Sequence, residues 1–370
     1  MRILIFCHSI LSDWNHGNAH FLRGVTAELI ARGHDVQVLE PETAWSVQNL
    51  VADQGVAALD QFRQAYPTIH EERYDPATVD LAGKLKGAEL VIVHEWNDPE
   101  LVRAVGEHHE RHPGYRLLFH DSHHRSATAP AEMARFDLKH YDGVLAFGRV
   151  VRDLYLAHGW AKRAWTWHEA ADTRVFHPVS KLHSMAKQGT EGDLVWIGNW
   201  GDDERTRELD EFLFEPVKVL RLKAKVYGVR YPAAAIARLE DAGIEYGGYL
   251  PNFRAPEVYG QYRCTAHVPR GPYARALPGI PTIRVFEALA CAIPLFSAPW
   301  EDAERLFEQG EDFWMARNGV EMTGMLERAL RHPEEAQRRA RCGFEMVRRR
   351  HTCAHRVDEL LEIVHALEAE

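Results

Sequence analysis

The first apolar run of the chain, "ILIF" at residues 3–6, has no polar alternation. Such a run suits a strand buried on both faces of a sheet. A polar loop, "CHSILSDWNHGN", follows. Phe21, Leu22, Val25 and Leu29 then recur at helical spacing, and Gly33 stops the helix. The succession repeats, with apolar strands at 36–39, 89–93, 116–119 and 143–147 and another predicted over "AWTW" at 164–167. Helical patterns such as 98–109 and 149–158 separate them. Apolar strands alternating with helices predict a parallel sheet covered on both faces.

The pattern breaks at 177–193, "HPVSKLHSMAKQGTEGD", a polar stretch without periodicity that reads as a linker. It restarts at "LVWIG", 194–198, with further strands over 224–228, 265–269, 293–297 and 312–316. Two doubly wound α/β halves are therefore expected: residues 1–175, a linker over 176–193, and residues 194–350. A final helix over 351–370 carries an apolar stripe of Val357, Leu360, Leu361, Val364 and Leu367.

Length and charge narrow the class. A chain of 370 residues is long for one core. Its net charge of −10 argues against a general nucleic-acid binder. No stretch is apolar enough to span a membrane, and the start lacks the long apolar region and cleavage site of a signal peptide. The cysteines Cys7, Cys264, Cys291, Cys342 and Cys353 show no pair spacing, which points to reduced thiols and a cytoplasmic setting.

Open α/β sheets bind ligands at the carboxyl ends of their strands, so the candidate chemistry lies in the loops there. After the first strand, Gly17 and the expected N-cap Asn18 leave backbone amides open to a ligand. His94 and Glu95 follow the strand at 89–93. His120 and Asp121 come off the strand at 116–119, with His123, His124 and Arg125 behind them. This cluster reads either as metal ligands or as groups that bond a sugar hydroxyl. In the second half, Gly198 and Asn199 make a turn ahead of Arg205, a residue type suited to bidentate phosphate binding or to surface ion pairs. Gly248, Tyr249 and Leu250 read as an ordinary turn, or as a backbone edge and a flat ring for a planar base. In "IPTIRVFEALACAIPLF", 280–296, the helix start at Thr282 and Ile283 suits an anion. Arg284 and Glu287 stand as charges within an apolar helix. The Glu287 carboxylate suits a ribose diol, and the alternative is a buried Arg–Glu pair.

"RVFEALACAIPLFSAPWED" resembles the donor-site helix and following strand of retaining glycosyltransferases with the two-domain GT-B fold. "HFLRGVTAELIARGHDVQVLEP" resembles their first helix–strand unit, and "YDGVLAFGRVVRDLYLAHGW" the end of their N-terminal domain. The similarity runs along nearly the whole chain, nearest to the CgeB-like, spore-maturation branch and more distantly to glycosyltransferase family four. It implies two Rossmann-like domains facing a cleft, with the last helix crossing back to the first domain. It also implies a nucleotide-sugar donor and a glycan, lipid-linked or small-molecule acceptor, with neither cofactor nor metal. Glu287 matches the second Glu of the family's E-x7-E motif, Arg205 its pyrophosphate Arg, and His120 its donor-sugar His. His120 and Asp121 are the implied catalytic pair. Gly198, Asn199, Tyr227, Gly248, Tyr249, Leu250, Thr282, Ile283 and Arg284 join Glu287 and Arg205 around the nucleotide. Gly17, Asn18, His94 and Glu95 fall on the sugar and acceptor side. The first Glu of the motif falls at Gly279, a departure from the pattern. Two other functions stay open at this point: a sugar-nucleotide 2-epimerase of similar fold, and a non-catalytic assembly factor.

Overall fold

The computed structural model describes residues 1–179 and 191–369. Most of the expected linker, 180–190, lies outside the described residues. The chain divides into two compact units. Unit 1 is Met1–Glu169 with Cys353–Glu370, and unit 2 is Ala170–Thr352.

Unit 1 is built on strands β1 (Arg2–Phe6), β2 (Asp35–Pro41), β3 (Glu71–Tyr74), β4 (Leu90–His94), β5 (Arg116–Asp121), β6 (Gly143–Ala146) and β7 (Ala164–Thr166). They form one sheet in the order β3-β2-β1-β4-β5-β6-β7. Every neighbouring pair is parallel. The apolar runs lie where a doubly covered sheet needs them: Ile3 through Phe6 in β1 and Leu90 through Val93 in β4 are all buried. Unit 2 repeats the plan with β8 (Gly192–Ile197), β9 (Ala224–Tyr227), β10 (Ile244–Tyr246), β11 (Tyr262–His267), β12 (Leu295–Ser297) and β13 (Trp314–Met315). Their order is β10-β9-β8-β11-β12-β13, again parallel throughout. In each sheet the chain reverses its direction of travel beside the first strand, between β1 and β4 and between β8 and β11. That is the switch point where such sheets open a crevice.

Two strands had no apolar signature. β3 reads "EERY" and β10 "IEY". Both are edge strands with a single neighbour, so polar side chains there meet solvent.

The helix Cys353–Glu368 packs on the helix Ala19–Ala31 within unit 1. Val357, Leu360, Val364 and Leu367 are buried, while Leu361 is only half-buried. Trp167, itself fully buried, donates its indole Nε1–H to the Arg356 carbonyl at 2.8 Å. Among the described residues, no helix is long and apolar enough to cross a membrane.

Candidate functional site

In unit 1 the loops after β1, β4 and β5 converge on a buried polar cluster. His94, Glu95, His120, Asp121 and Ser122 are each 1% exposed or less. β4 and β5 hold them in register, since His94 lies opposite His120. His94 Nε2 stands 2.9 Å from Ser122 Oγ and 2.8 Å from Glu95 Oε2. The Ser122 hydroxyl also donates to Glu95 Oε1 at 3.3 Å. Asp121 accepts from the Tyr155 hydroxyl at 2.9 Å and from the His123 amide at 3.0 Å. The His120 ring lies between those of His94 and Trp167, at centroid distances of 5.1 and 4.9 Å. Neither of its ring nitrogens meets a hydrogen-bond partner among the described residues.

Burial sets the charge state of this cluster. It pushes the Glu95 carboxyl up to about 8 and, with the neighbouring Glu95 charge added, Asp121 up to about 7. Burial lowers His94 to about 3, helped by the Arg125 charge, and drops His120 well below the ordinary imidazole range. The cluster therefore holds neutral imidazoles beside carboxyls shifted up toward neutrality.

The β1 loop is rigidly held. Arg23, fully buried, donates to the carbonyls of Ile10 and Leu11 at 2.8 and 3.0 Å and pairs with Asp13 at 2.7 Å. Glu40 accepts the amides of the same two residues at 2.8 and 3.2 Å. Gly17 lies exposed on this loop. Asn18 stands at the N-cap position, yet its side chain caps nothing. Its Nδ2 instead donates to the Ser122 carbonyl at 3.1 Å and to the Ser122 hydroxyl, which ties the β1 loop to the β5 loop. This corrects the capping expectation. Asp98, by contrast, caps the helix Pro99–Arg111 by accepting from the Glu100 amide at 2.8 Å. Among the described residues no group of three or more His, Cys, Asp or Glu is arranged to hold a metal ion.

In unit 2 the turn after β8 interlocks with those after β9 and β10. The Gly198 carbonyl accepts from the Tyr231 hydroxyl at 2.8 Å, and Asn199 Oδ1 accepts from the Val229 amide at 3.0 Å. The Gly228 amide donates to the Gly248 carbonyl at 2.8 Å. A Cβ on Gly228 would stand 2.1 Å from the Gly198 carbonyl oxygen, so this approach requires glycine. Gly248 has a φ of +70° and open space where a side chain would stand, with half-buried Tyr249 and Leu250 following. The Tyr227 ring, half-buried, packs on Gly247 and under the Lys225 ammonium.

The helix Ile283–Ala290 begins after the extended residue Thr282. His267, at the end of β11, ties that start to β12. Its Nε2 lies 3.0 Å from Thr282 Oγ1 and its Nδ1 2.8 Å from Ser297 Oγ. Glu287 is fully buried. Its Oε1 accepts from Asn252 Nδ2 at 2.7 Å, and its Oε2 pairs with Arg284, which is about a quarter exposed. Arg205 is buried too, and its guanidinium donates to three carbonyls, those of Asn199, Trp200 and Val268. Gly279 has a φ of +93°, and a Cβ there would meet Glu304 Cγ at 2.5 Å, so a side chain at the position that departs from the E-x7-E pattern would be strained and would push the Glu304 side chain aside. A cavity of about 930 Å3 opens nearby, lined among others by Arg275, Trp300, Arg305 and Arg317. None of the sequence-predicted site residues lines it.

The sequence reading missed three residues here. His267 lies within the strand expected over 265–269, Arg270 just past it, and Asn252 just past the turn at 248–250. Only these places marked them.

Residues 205–362 match a family model described as "Glycosyl transferase-like". No curated protein matches the chain in sequence. Solved structures share its fold over its length. Anabaena Alr3699/HepE in complex with UDP superposes with a TM-score of 0.67 at 12% identity, covering 99% of this chain and 100% of that one. Sucrose-phosphate synthase from Thermosynechococcus elongatus gives 0.64 at 12%, covering 100% and 99%. An alpha-glucosyltransferase in complex with UDP and a 13-mer DNA containing an HMU base gives 0.70 at 11%, covering 99% of each. The fold is thus that of the GT-B glycosyltransferases, built from two parallel-sheet α/β domains.

Proposed function

We propose that this protein moves a sugar from a nucleoside-diphosphate sugar to an acceptor hydroxyl. Unit 2 binds the donor. The observation that carries this reading is the buried Glu287 carboxylate, held by Asn252 and Arg284 one turn into a helix whose start lies beside further arginines. It falls within the stretch that matches the glycosyl transferase-like model. A carboxylate accepts about four hydrogen bonds, so a ribose diol reaches Glu287 by displacing the Arg284 guanidinium, which then meets the diphosphate. UDP is the nucleotide in the HepE and alpha-glucosyltransferase structures, which makes it the first to try.

In the transfer, the bond between the sugar's anomeric carbon and the phosphate oxygen breaks, and a bond to the acceptor oxygen forms. The acceptor proton passes to the departing phosphate. Arginines and the helix dipole stabilise that diphosphate, so the step needs neither metal nor cofactor, and attack from the face that the diphosphate leaves gives retention. His120 and Asp121 in unit 1 are the groups assigned to the sugar, with Glu95, His94, Gly17 and Asn18 on the acceptor side. The acceptor is a glycan, a lipid-linked sugar or a small molecule, because a net charge of −10 disfavours nucleic acid. The five scattered cysteines, without pair spacing in the sequence, fit the cytoplasm. Placement in the CgeB-like branch rests on the sequence stretches alone.

The test is a thermal shift with UDP, GDP, ADP and TDP, then incubation with the matching nucleotide sugar. One diphosphate should raise the melting temperature by mass action, and the sugar should leave it on addition of acceptor. If none of the four shifts melting, the donor assignment fails. If the sugar is isomerised rather than released, the protein is an epimerase.

A further inference from the structure

Resting on the donor reading above, we propose that Arg270 is the residue that grips the diphosphate, while Arg205 acts as a strut that shapes the turn. Arg205 came forward from sequence as the phosphate ligand, but its guanidinium is directed into the protein. It donates to the Val268 carbonyl at 2.9 Å, to the Trp200 carbonyl at 3.3 Å and to the Asn199 carbonyl. Those bonds join the turn after β8 to the end of β11. A guanidinium has five N–H donors in a rigid fork, and one committed to three buried carbonyls has little left for a ligand.

Arg270 stands next to it, and apart from its pair with Glu204 its guanidinium donors meet no partner among the described residues. Its side chain is 24% exposed, and among the described residues its one ion pair is with Glu204, at 3.3 Å. Both guanidiniums flank Gly201, which has a φ of +81°. A Cβ on Gly201 would stand 2.9 Å from Arg205 Nε and 3.2 Å from Arg270 Nε, so glycine keeps the space between the two arginines clear. The Arg284 charge also acts on Arg205. The Arg270 and Arg284 charges thus both act on Arg205, and each of the two has its own carboxylate, Glu204 and Glu287. Like charges brought together out of water are costly unless an anion joins them. A diphosphate supplies that anion, and Arg270, exposed at the edge, binds it bidentately.

The experiment uses isothermal titration of the full chain with UDP, uridine and inorganic pyrophosphate, on wild type, Arg270→Gln, Arg270→Lys and Arg205→Lys. Another diphosphate and its nucleoside take the place of UDP and uridine if the thermal panel selects one. Arg270→Gln should weaken UDP and pyrophosphate roughly 10- to 100-fold, as for loss of a charged hydrogen-bonding group. It should leave uridine affinity and melting temperature unchanged, since a surface ion pair adds little stability. Arg270→Lys should recover part of the loss. Arg205→Lys should lower the melting temperature. Wild-type binding of UDP with no loss in Arg270→Gln overturns the assignment alone, as does an equal loss for uridine and UDP. Failure of wild type to bind any diphosphate overturns the donor reading, and the assignment with it.

Discussion

Asn252 Nδ2 donates to Glu287 Oε1 at 2.7 Å, from a turn 35 residues earlier in the chain. The amide fixes one carboxylate oxygen and leaves the other to Arg284. Glu287→Gln keeps the shape and removes the charge. It should weaken nucleoside-diphosphate binding by about 1.5–3 kcal/mol, the worth of hydrogen bonds to a charged group. Titration calorimetry reads the affinity, and a melting curve separates binding from folding. Unchanged affinity with a much lower melting point would make Glu287 a structural partner of Arg284 and Asn252 only.

The buried cluster of unit 1 makes stability depend on pH in a defined direction. Glu95 and Asp121 titrate near 8 and 7 in the fold, above the ordinary carboxylate value of about 4. Between those limits the folded state binds more protons than the unfolded one, so their contribution is full at low pH and is lost as pH rises through 7 and 8. His94 and His8 are lowered, to about 3 and about 4, so they oppose folding only below the unfolded histidine value of about 6.5. Melting temperature should therefore be highest near pH 6.5 and fall toward pH 8.5. Glu95→Gln should flatten the alkaline side, and an unaltered slope in that variant would refute the assignment.

Transfer, followed as nucleoside-diphosphate release from a nucleotide sugar, should persist in EDTA. Arginines supply the positive charge that a bound cation would otherwise bring to the leaving group. Loss of turnover on chelation, restored by Mn²⁺ or Zn²⁺, would instead assign a metal role to the histidine-rich loop at 120–124.

Leu360 is fully buried on the helix Cys353–Glu368, which packs on the helix Ala19–Ala31. Leu360→Ala should cost about 2–5 kcal/mol, the range for a buried leucine that leaves a cavity. Chemical denaturation followed by tryptophan fluorescence measures it, because Trp167 lies under the same helix. Elution from a sizing column should not change. A shift from dimer to monomer would mean that the stripe serves a second copy of the chain.

Much of the fold was legible because doubly covered parallel strands leave unbroken apolar runs: Ile3–Phe6 and Leu90–Val93 allow few other readings. β3 and β10 were silent since an edge strand needs no such run. The candidate loops could be placed because strand ends are where such sheets bind. Direction could not be read. Arg205 has the residue type and position of a phosphate ligand, but only the fold shows its guanidinium turned toward Asn199, Trp200 and Val268. Asn18 likewise sits at a helix start, yet bonds Ser122 more than a hundred residues on. Such pairings depend on which loops meet, and no local pattern encodes them.

The Trp167 bond to Arg356 spans 189 residues, and all of unit 2 lies between its ends. Domains usually complete their folding in the order in which the ribosome delivers them. Here the order is inverted. Unit 2 is one continuous stretch and can close as soon as Thr352 emerges. Unit 1, begun first, must wait with the apolar side of the helix Ala19–Ala31 uncovered until Cys353–Glu368 follows. Nascent chains stalled within 170–352 should therefore be held by chaperones through their older half.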